Sequence, residues 1–239
     1  SVVAEVESTN EVVSFTDISQ NLFSYSQEFD NATWSKSYTT VTADNAVAPD
    51  GTTTAELITE NSTGSPVGIF ISEAITTVIG TQYTISVFAK RNGRDLQIAF
   101  GSSDVTGNPY ANFNLSTGAL GTTGGTITAS ITDAGNSWYR CSVIVTSAVT
   151  SLLTIIIPSN STTATRLASH AGDGTSGIYL WGAQLEVGTL TTYLPTTSAA
   201  LVGLTGVTRG ANGTTAASAS SGDDIQQLPY ALLNVDMPV

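Results

Sequence analysis

The chain has 239 residues, 41% hydrophobic but only 11% charged, and 7 Lys and Arg against 19 Asp and Glu leave a net charge of −12. That length supports one substantial core with a small appendage, while the acidity argues against nucleic acid or anionic membrane as a ligand, since both are bound through Lys and Arg. A single cysteine, Cys141, rules out an internal disulfide, and the densest apolar run, SLLTIII at 151–157, has strand length rather than the ~18–20 residues of a membrane span.

Hydroxyls fill the charge deficit: 66 Ser and Thr make up more than a quarter of the chain, beside 22 Gly. Val, Ile, Leu and aromatic residues recur among them in short bursts, so the composition describes a folded, Thr-decorated β protein rather than a disordered one. In chain order, residues 1–20 alternate weakly through Val2, Ala4 and Val6 and lack the charged-then-apolar pattern of a signal segment. They read as an edge strand or an arm on a neighbour. Strand signatures then fall at 22–26, 38–43, 54–59, 67–77, 82–90, 95–101, 110–115, 126–132, 138–147, 151–157 and 177–186.

The clearest alternation is QYTISVFAK, with Tyr83, Ile85, Val87 and Ala89 on one face. Phe88 interrupts the polar face, which predicts cover on both sides of this strand. Asn92-Gly93, between 82–90 and 95–101, carries the φ > 0 preference of a two-strand turn. One helical turn is expected at 27–34, around Glu28, Phe29 and Trp34. Short strands without a long helix predict an all-β fold, a β-sandwich of two antiparallel sheets, and the long 158–176 connection suits a jelly roll. Residues 199–222 turn to Ala, Gly, Thr and Ser, and 225–239 become apolar again through Leu228, Tyr230, Leu232 and Leu233. An apolar tail of that kind is expected to dock on a surface.

NLFSYSQEFDNATW at 21–34, APDGTTTAELITE at 48–60 and TQYTISVFAK at 81–90 resemble, in that order, a domain of phage tail-fibre, tail and other virion-structural proteins. YANFNLSTG at 110–118, ITDAGNSWYRCSV at 131–143, DGTSGIYLWGAQLEVG at 173–188 and TYLPTTSA at 192–199 continue the resemblance, which spans about 21–199. LTGVTRGANGTTAAS at 204–218 is similar to a shorter phage virion motif. That family is a carbohydrate-binding-module-like jelly roll. The resemblance implies a non-enzymatic structural protein on the surface of a bacteriophage particle, as capsid decoration or cement, or as a tail or fibre subunit. The expected organisation is an N-terminal arm at 1–20, the sandwich at 21–199 and a docking or assembly extension at 200–239. Partners would be other virion proteins in a homo-oligomer, a trimer being favoured on symmetry grounds alone. The alternative is an adhesion module gripping host-surface polysaccharide.

A sugar site needs an aromatic face flanked by amides or carboxylates. Trp34 with Asp30 and Asn31 fits that recipe, as does Tyr110 beside Asn108 and Asn112; core packing competes as the explanation for Trp34. Trp138, Tyr139, Tyr179 and Trp181 lie within strands and read as structural. No cofactor is expected. Asp173-Gly174-Thr175-Ser176-Gly177 offers oxygens to a structural calcium, but a plain turn entering strand 177–186 explains it better. His170 is the sole histidine, no GxSxG elbow accompanies it, and no zinc set exists. Two-carboxylate glycosidase chemistry stays open on carboxylate numbers alone, although no pair stands out. Lys90, Arg91 and Arg94 cluster at one strand end, where Asp95 and other local carboxylates are their expected partners.

Overall fold

The computed structural model describes residues 2–6, 11–15, 17–62, 70–205 and 225–227, with side chains for 20–62 and 70–201. The chain divides into two compact units, Gln20–Leu201 and a second formed by Ser1–Ser19 with Val202–Val239. In the second unit β1 (Val2–Val6) lies between β2 (Glu11–Phe15) and β17 (Ile225–Gln227), so segments from both ends share one antiparallel sheet. A two-stranded ladder also joins β3 (Asp17–Asn21) to β16 (Leu201–Thr205). Leu228, Tyr230, Leu232 and Leu233, and most of the 204–218 motif, lie outside the described residues.

The larger unit is the expected sandwich, with six antiparallel strands in each sheet. One sheet runs β11 (Ala119–Gly124), β10 (Tyr110–Asn114), β9 (Asp95–Phe100), β14 (Ser151–Ser159), β7 (Phe70–Thr76), β4 (Ser35–Ser37). The other runs β12 (Thr128–Gly135), β13 (Trp138–Thr146), β8 (Gln82–Asn92), β15 (Gly177–Val187), β6 (Ala55–Glu60), β5 (Thr39–Ala46). Their inner faces bury Ile71, Leu96, Ile98, Phe113 and Ile156 against Ile58, Ile85, Val87, Val143, Ile178 and Leu185. Cys141 is among these buried residues, and burial raises its thiol pKa well above the ordinary value.

Each outer face is covered in turn. Residues 188–197 strap across the second sheet, where the Tyr193 ring lies 4.8 Å from Trp181 and 5.9 Å from Phe88. Phe88 therefore has apolar cover on the face where alternation calls for a polar residue, and the expectation of two-sided cover holds. The strap is pinned by polar side chains of that face: Arg140 Nη1 donates to Thr191 O at 2.7 Å, and Gln184 Oε1 accepts the Leu194 amide at 2.7 Å. Burial pushes the Tyr193 hydroxyl up to about 12. On the first sheet, the 160–170 segment crosses Gln97 and Asn112, which bond to each other at 2.8 Å and to the Thr165, Leu167 and Ala164 backbone.

Three local expectations fail. Residues 22–26 form no strand, because Tyr25 takes φ 50° and the segment bonds instead to the strap at Thr196 and Thr197. The helical turn at 27–34 is a succession of tight turns, Glu28 N to Tyr25 O, Asn31 N to Glu28 O and Trp34 N to Asn31 O. Asn92-Gly93 joins no hairpin: β8 and β9 lie in different sheets, and Gly93 at φ +87° carries the chain across while bridging Gly177.

Candidate binding cleft

The 22–34 segment places one wall of a cleft of about 550 Å³, lined by Gln27, Glu28, Asp30, Ala43, Asp44, Thr54, Glu56, Pro195, Thr196 and Thr197. Four segments contribute: the turns before β4, the β5–β6 hairpin, β6 itself and the end of the strap. Asn21 secures the base, its amide donating to Ala183 O and Leu194 O, both at 2.9 Å. Ser26 Oγ meets Tyr193 Oη at 2.7 Å, and Thr196 Oγ1 donates to Phe23 O at 2.7 Å, so wall and strap form one unit.

Glu56 is the chemically unusual member. It shares the inward side of β6 with Ile58 and Glu60, opposite Leu180 in register, and is only 2% exposed. Its Oε2 accepts the Asp30 amide at 3.0 Å. Burial, reinforced by the neighbouring Asp30 carboxyl, pushes its pKa up to about 8, so at neutral pH it is a neutral acid with a proton to donate. Lys36 Nζ ties the same turn by donating to the Asp30 carbonyl at 2.7 Å and to the Asn31 carbonyl, and desolvation lowers its pKa.

The four residues singled out from sequence are not brought together. Trp34 is fully buried, 5.1 Å from Phe23 and 5.0 Å from Phe29 between ring centroids, with Nε1 donating to Tyr25 O at 3.1 Å. Its ring has no free face for a sugar, and core packing is its role. Asp30 is exposed in the cleft, whereas Asn31 caps the next turn by accepting from Thr33 N and Oγ1, both at 3.0 Å. Tyr110 stands on β10, four strands from β4, about 19 Å across the sheet at the usual strand spacing. It packs there with Ala99, Ile155, Ile157 and Leu167.

Asp173 is committed to its turn. Its Oδ1 accepts from the Ser176 amide at 2.7 Å and the Thr175 amide at 2.8 Å, and its Oδ2 from Ser176 Oγ at 2.7 Å and Arg94 Nη2 at 3.1 Å. Those bonds, led by Ser176, hold the carboxyl well below the usual range and shape the turn that enters β15. Among the described residues no group of three His, Cys, Asp or Glu is placed to hold a metal ion. Two of the three clustered cations find the carboxylates expected of them, Arg91 with Asp95 at 3.6 Å and Arg94 with Glu60 and Asp173.

No protein-family model matches the chain, and no curated protein matches it. Among solved structures it is similar to the CBM22-1 xylan-binding domain of Paenibacillus barcinonensis Xyn10C, at 14% identity and TM-score 0.41, covering 73% of this chain and 97% of that one. It is also similar to the enzymatically active domain of bacteriophage CBA120 tailspike protein 4, at 12% identity and TM-score 0.39, covering 70% of this chain and 21% of that one. The CBM22-1–GH10 modules of Clostridium thermocellum xylanase 10B, solved with xylohexaose, share 15% identity at TM-score 0.37, over 74% of this chain and 29% of that one. Likeness at this level leaves ligand and activity to the geometry of the cleft.

Proposed function

We propose that the chain is a non-catalytic carbohydrate-binding module whose ligand occupies the Asp30–Glu56 cleft. The supporting observation is the lining: the Gln27 amide, the carboxyls of Glu28, Asp30 and Asp44, the threonines at 54, 196 and 197, and the protonated Glu56 give a polyhydroxylated ligand both acceptors and donors. The volume lies within the range of small-ligand sites. Glu56 Oε2 is engaged by the Asp30 amide at 3.0 Å, which favours a binding role over a catalytic one for this carboxyl. The test is a glycan array followed by titration calorimetry. At least tenfold weaker binding by Asp30→Asn and Glu56→Ala supports the reading, and absence of binding by the wild-type protein refutes it.

A second reading, a structural subunit of a phage particle, draws on a different observation. Segments from both ends of the chain meet in the β17–β1–β2 sheet, and among the described residues β2 pairs on one side only. An exposed strand edge is a template for pairing with another chain. Under this reading the terminal unit docks on a virion protein or on a second copy, while the sandwich is displayed. Co-sedimentation with purified particles that is lost on deleting 202–239 supports it; retention after that deletion opposes it.

A further inference from the structure

Two acidic side chains lie beneath the cleft wall, one near each end of it. Glu56 holds the Asp30 amide. Glu73, on the inner face of β7 and 5% exposed, accepts Ser24 Oγ at 3.3 Å through Oε1. Its other oxygen, Oε2, is buried without a partner, and so is Oγ1 of Thr154, which stands directly across from Glu73 on β14. We propose that Glu56 and Glu73 act as a proton-operated latch on the 22–34 wall, holding it against the sandwich while neutral and releasing it when ionised. The latch regulates the site assigned above, and its significance for ligand binding rests on that reading.

The geometry carries the argument. An ionised Glu73 would place a charge in the core with Ser24 alone to bond it, through its amide and its hydroxyl, and could regain hydration only if the 22–26 segment lifted away. Among the described residues Ser24 and Thr154 are its polar neighbours, and no charged group bears on it. Glu56 faces the Asp30 carboxyl and, at longer range, the Lys36 ammonium, with Glu28 and Asp44 elsewhere on the cleft lining. Its ionisation would set a second negative charge near the Asp30 carboxyl at the same end of the wall. Burial is the leading cause of both shifts, to about 7 for Glu73 and about 8 for Glu56. A wall that lifts returns each group toward the ordinary carboxyl value of 4.5. Each carboxyl therefore raises opening about tenfold per pH unit above 4.5, levelling off near 7 for Glu73 and near 8 for Glu56, and the two contributions multiply where the wall lifts as one.

Hydrogen exchange on the full, ligand-free chain tests this, with rates corrected for intrinsic pH dependence. Between pH 5 and pH 8, protection of the Tyr25, Ser26 and Asp30 amides should fall at least about 100-fold, while the Ile85 and Val143 amides of the core stay the more protected at both pH values and lose protection only with the global decline in stability. In the Glu56→Gln/Glu73→Gln double variant the fall should shrink to less than about threefold. Direct NMR titration of the two carboxyl carbons needs no variant and should give midpoints above 6, with the Tyr25 and Asp30 amide signals moving in step. Carboxyl midpoints in the ordinary range, or the same loss of protection in the double variant, overturn the latch. Because no glycan is present, that outcome leaves the binding reading to its own test.

Discussion

His170 Nε2 lies 2.8 Å from Glu60 Oε2, a contact that fastens the 160–176 connection to β6. The fully buried Glu60 carboxylate also receives Arg94 Nε at 2.9 Å, Arg94 Nη2 and the Asp173 amide at 2.9 Å, so each oxygen accepts two bonds. Gly172 and Gly177 let the connection close on this carboxylate, because a Cβ at either position would collide with the carbonyl of Asn61 or Ile58. A carboxylate so fully bonded tolerates burial; an Arg94 guanidinium left without it keeps only Asp173 as a carboxylate partner.

Removing the charge at Glu60 should therefore cost far more than removing the imidazole. Glu60→Gln breaks a buried ion pair and should destabilise by about 3–5 kcal/mol. His170→Ala deletes one hydrogen bond and should cost about 1 kcal/mol. Urea denaturation of the two variants separates these values, and equal losses would contradict the arrangement.

Trp34 should behave as a core residue in every assay. Trp34→Ala leaves a cavity beside Phe23 and Phe29 and should cost about 3–5 kcal/mol. Trp34→Phe keeps most of the volume, loses the Nε1 bond to Tyr25 O and should cost about half as much. Any effect on glycan binding should track the fraction folded; a fully folded Trp34→Ala protein with abolished binding would assign the ring to the ligand instead.

The sandwich was readable from sequence because its strands carry their own period. Ile85 and Val87 alternate with Thr84 and Ser86, and inward and outward positions follow directly. β11 escapes that test because its ALGTTG sequence has little apolar content to alternate, and β4 is only three residues long. The cleft is another matter. Gln27, Asp44, Glu56 and Thr196 become neighbours only through the β5–β6 hairpin, the β15–β6 ladder and the strap, none of which spacing reveals. One local signal did exist: Glu56 and Glu60 lie on the same side of β6 as buried Ile58, and a carboxyl on a core-facing position calls for a partner or a proton. Proximity in sequence misled in the opposite way, since Trp34 and Asp30 share a turn while one is buried and the other exposed.

Thr154 offers a gain in stability. Its hydroxyl is fully buried and unpartnered, and such a group costs about 1–3 kcal/mol. Thr154→Val keeps the shape and β propensity while removing the orphaned oxygen, so the variant should be more stable by about 1 kcal/mol. Calorimetric unfolding at pH 5, where Glu73 is neutral, measures this cleanly; a loss of 1 kcal/mol or more would mean the hydroxyl has a partner.

The pH dependence of global stability should run opposite to that of a protein held by salt-bridged carboxylates. Glu73 and Glu56 have folded-state values raised to about 7 and about 8, above the ordinary glutamate value of 4.5. Between 4.5 and those values the folded chain binds more protons than the unfolded one, so stability must fall as pH rises through that window and then level off. Glu73 alone accounts for a decline of about 3 kcal/mol at most. Asp173 acts with the opposite sign: its depressed folded-state value gives stability that is present above 3.8 and lost as pH falls below it. The two effects together place maximum stability near pH 4–5. A Tm series from pH 3 to pH 9 should peak there and decline toward pH 8, and Glu56→Gln/Glu73→Gln should flatten the alkaline side while leaving the acid limb intact. A wild-type Tm that climbs from pH 5 to pH 8 would show that both carboxyls are charged and paired in the folded protein.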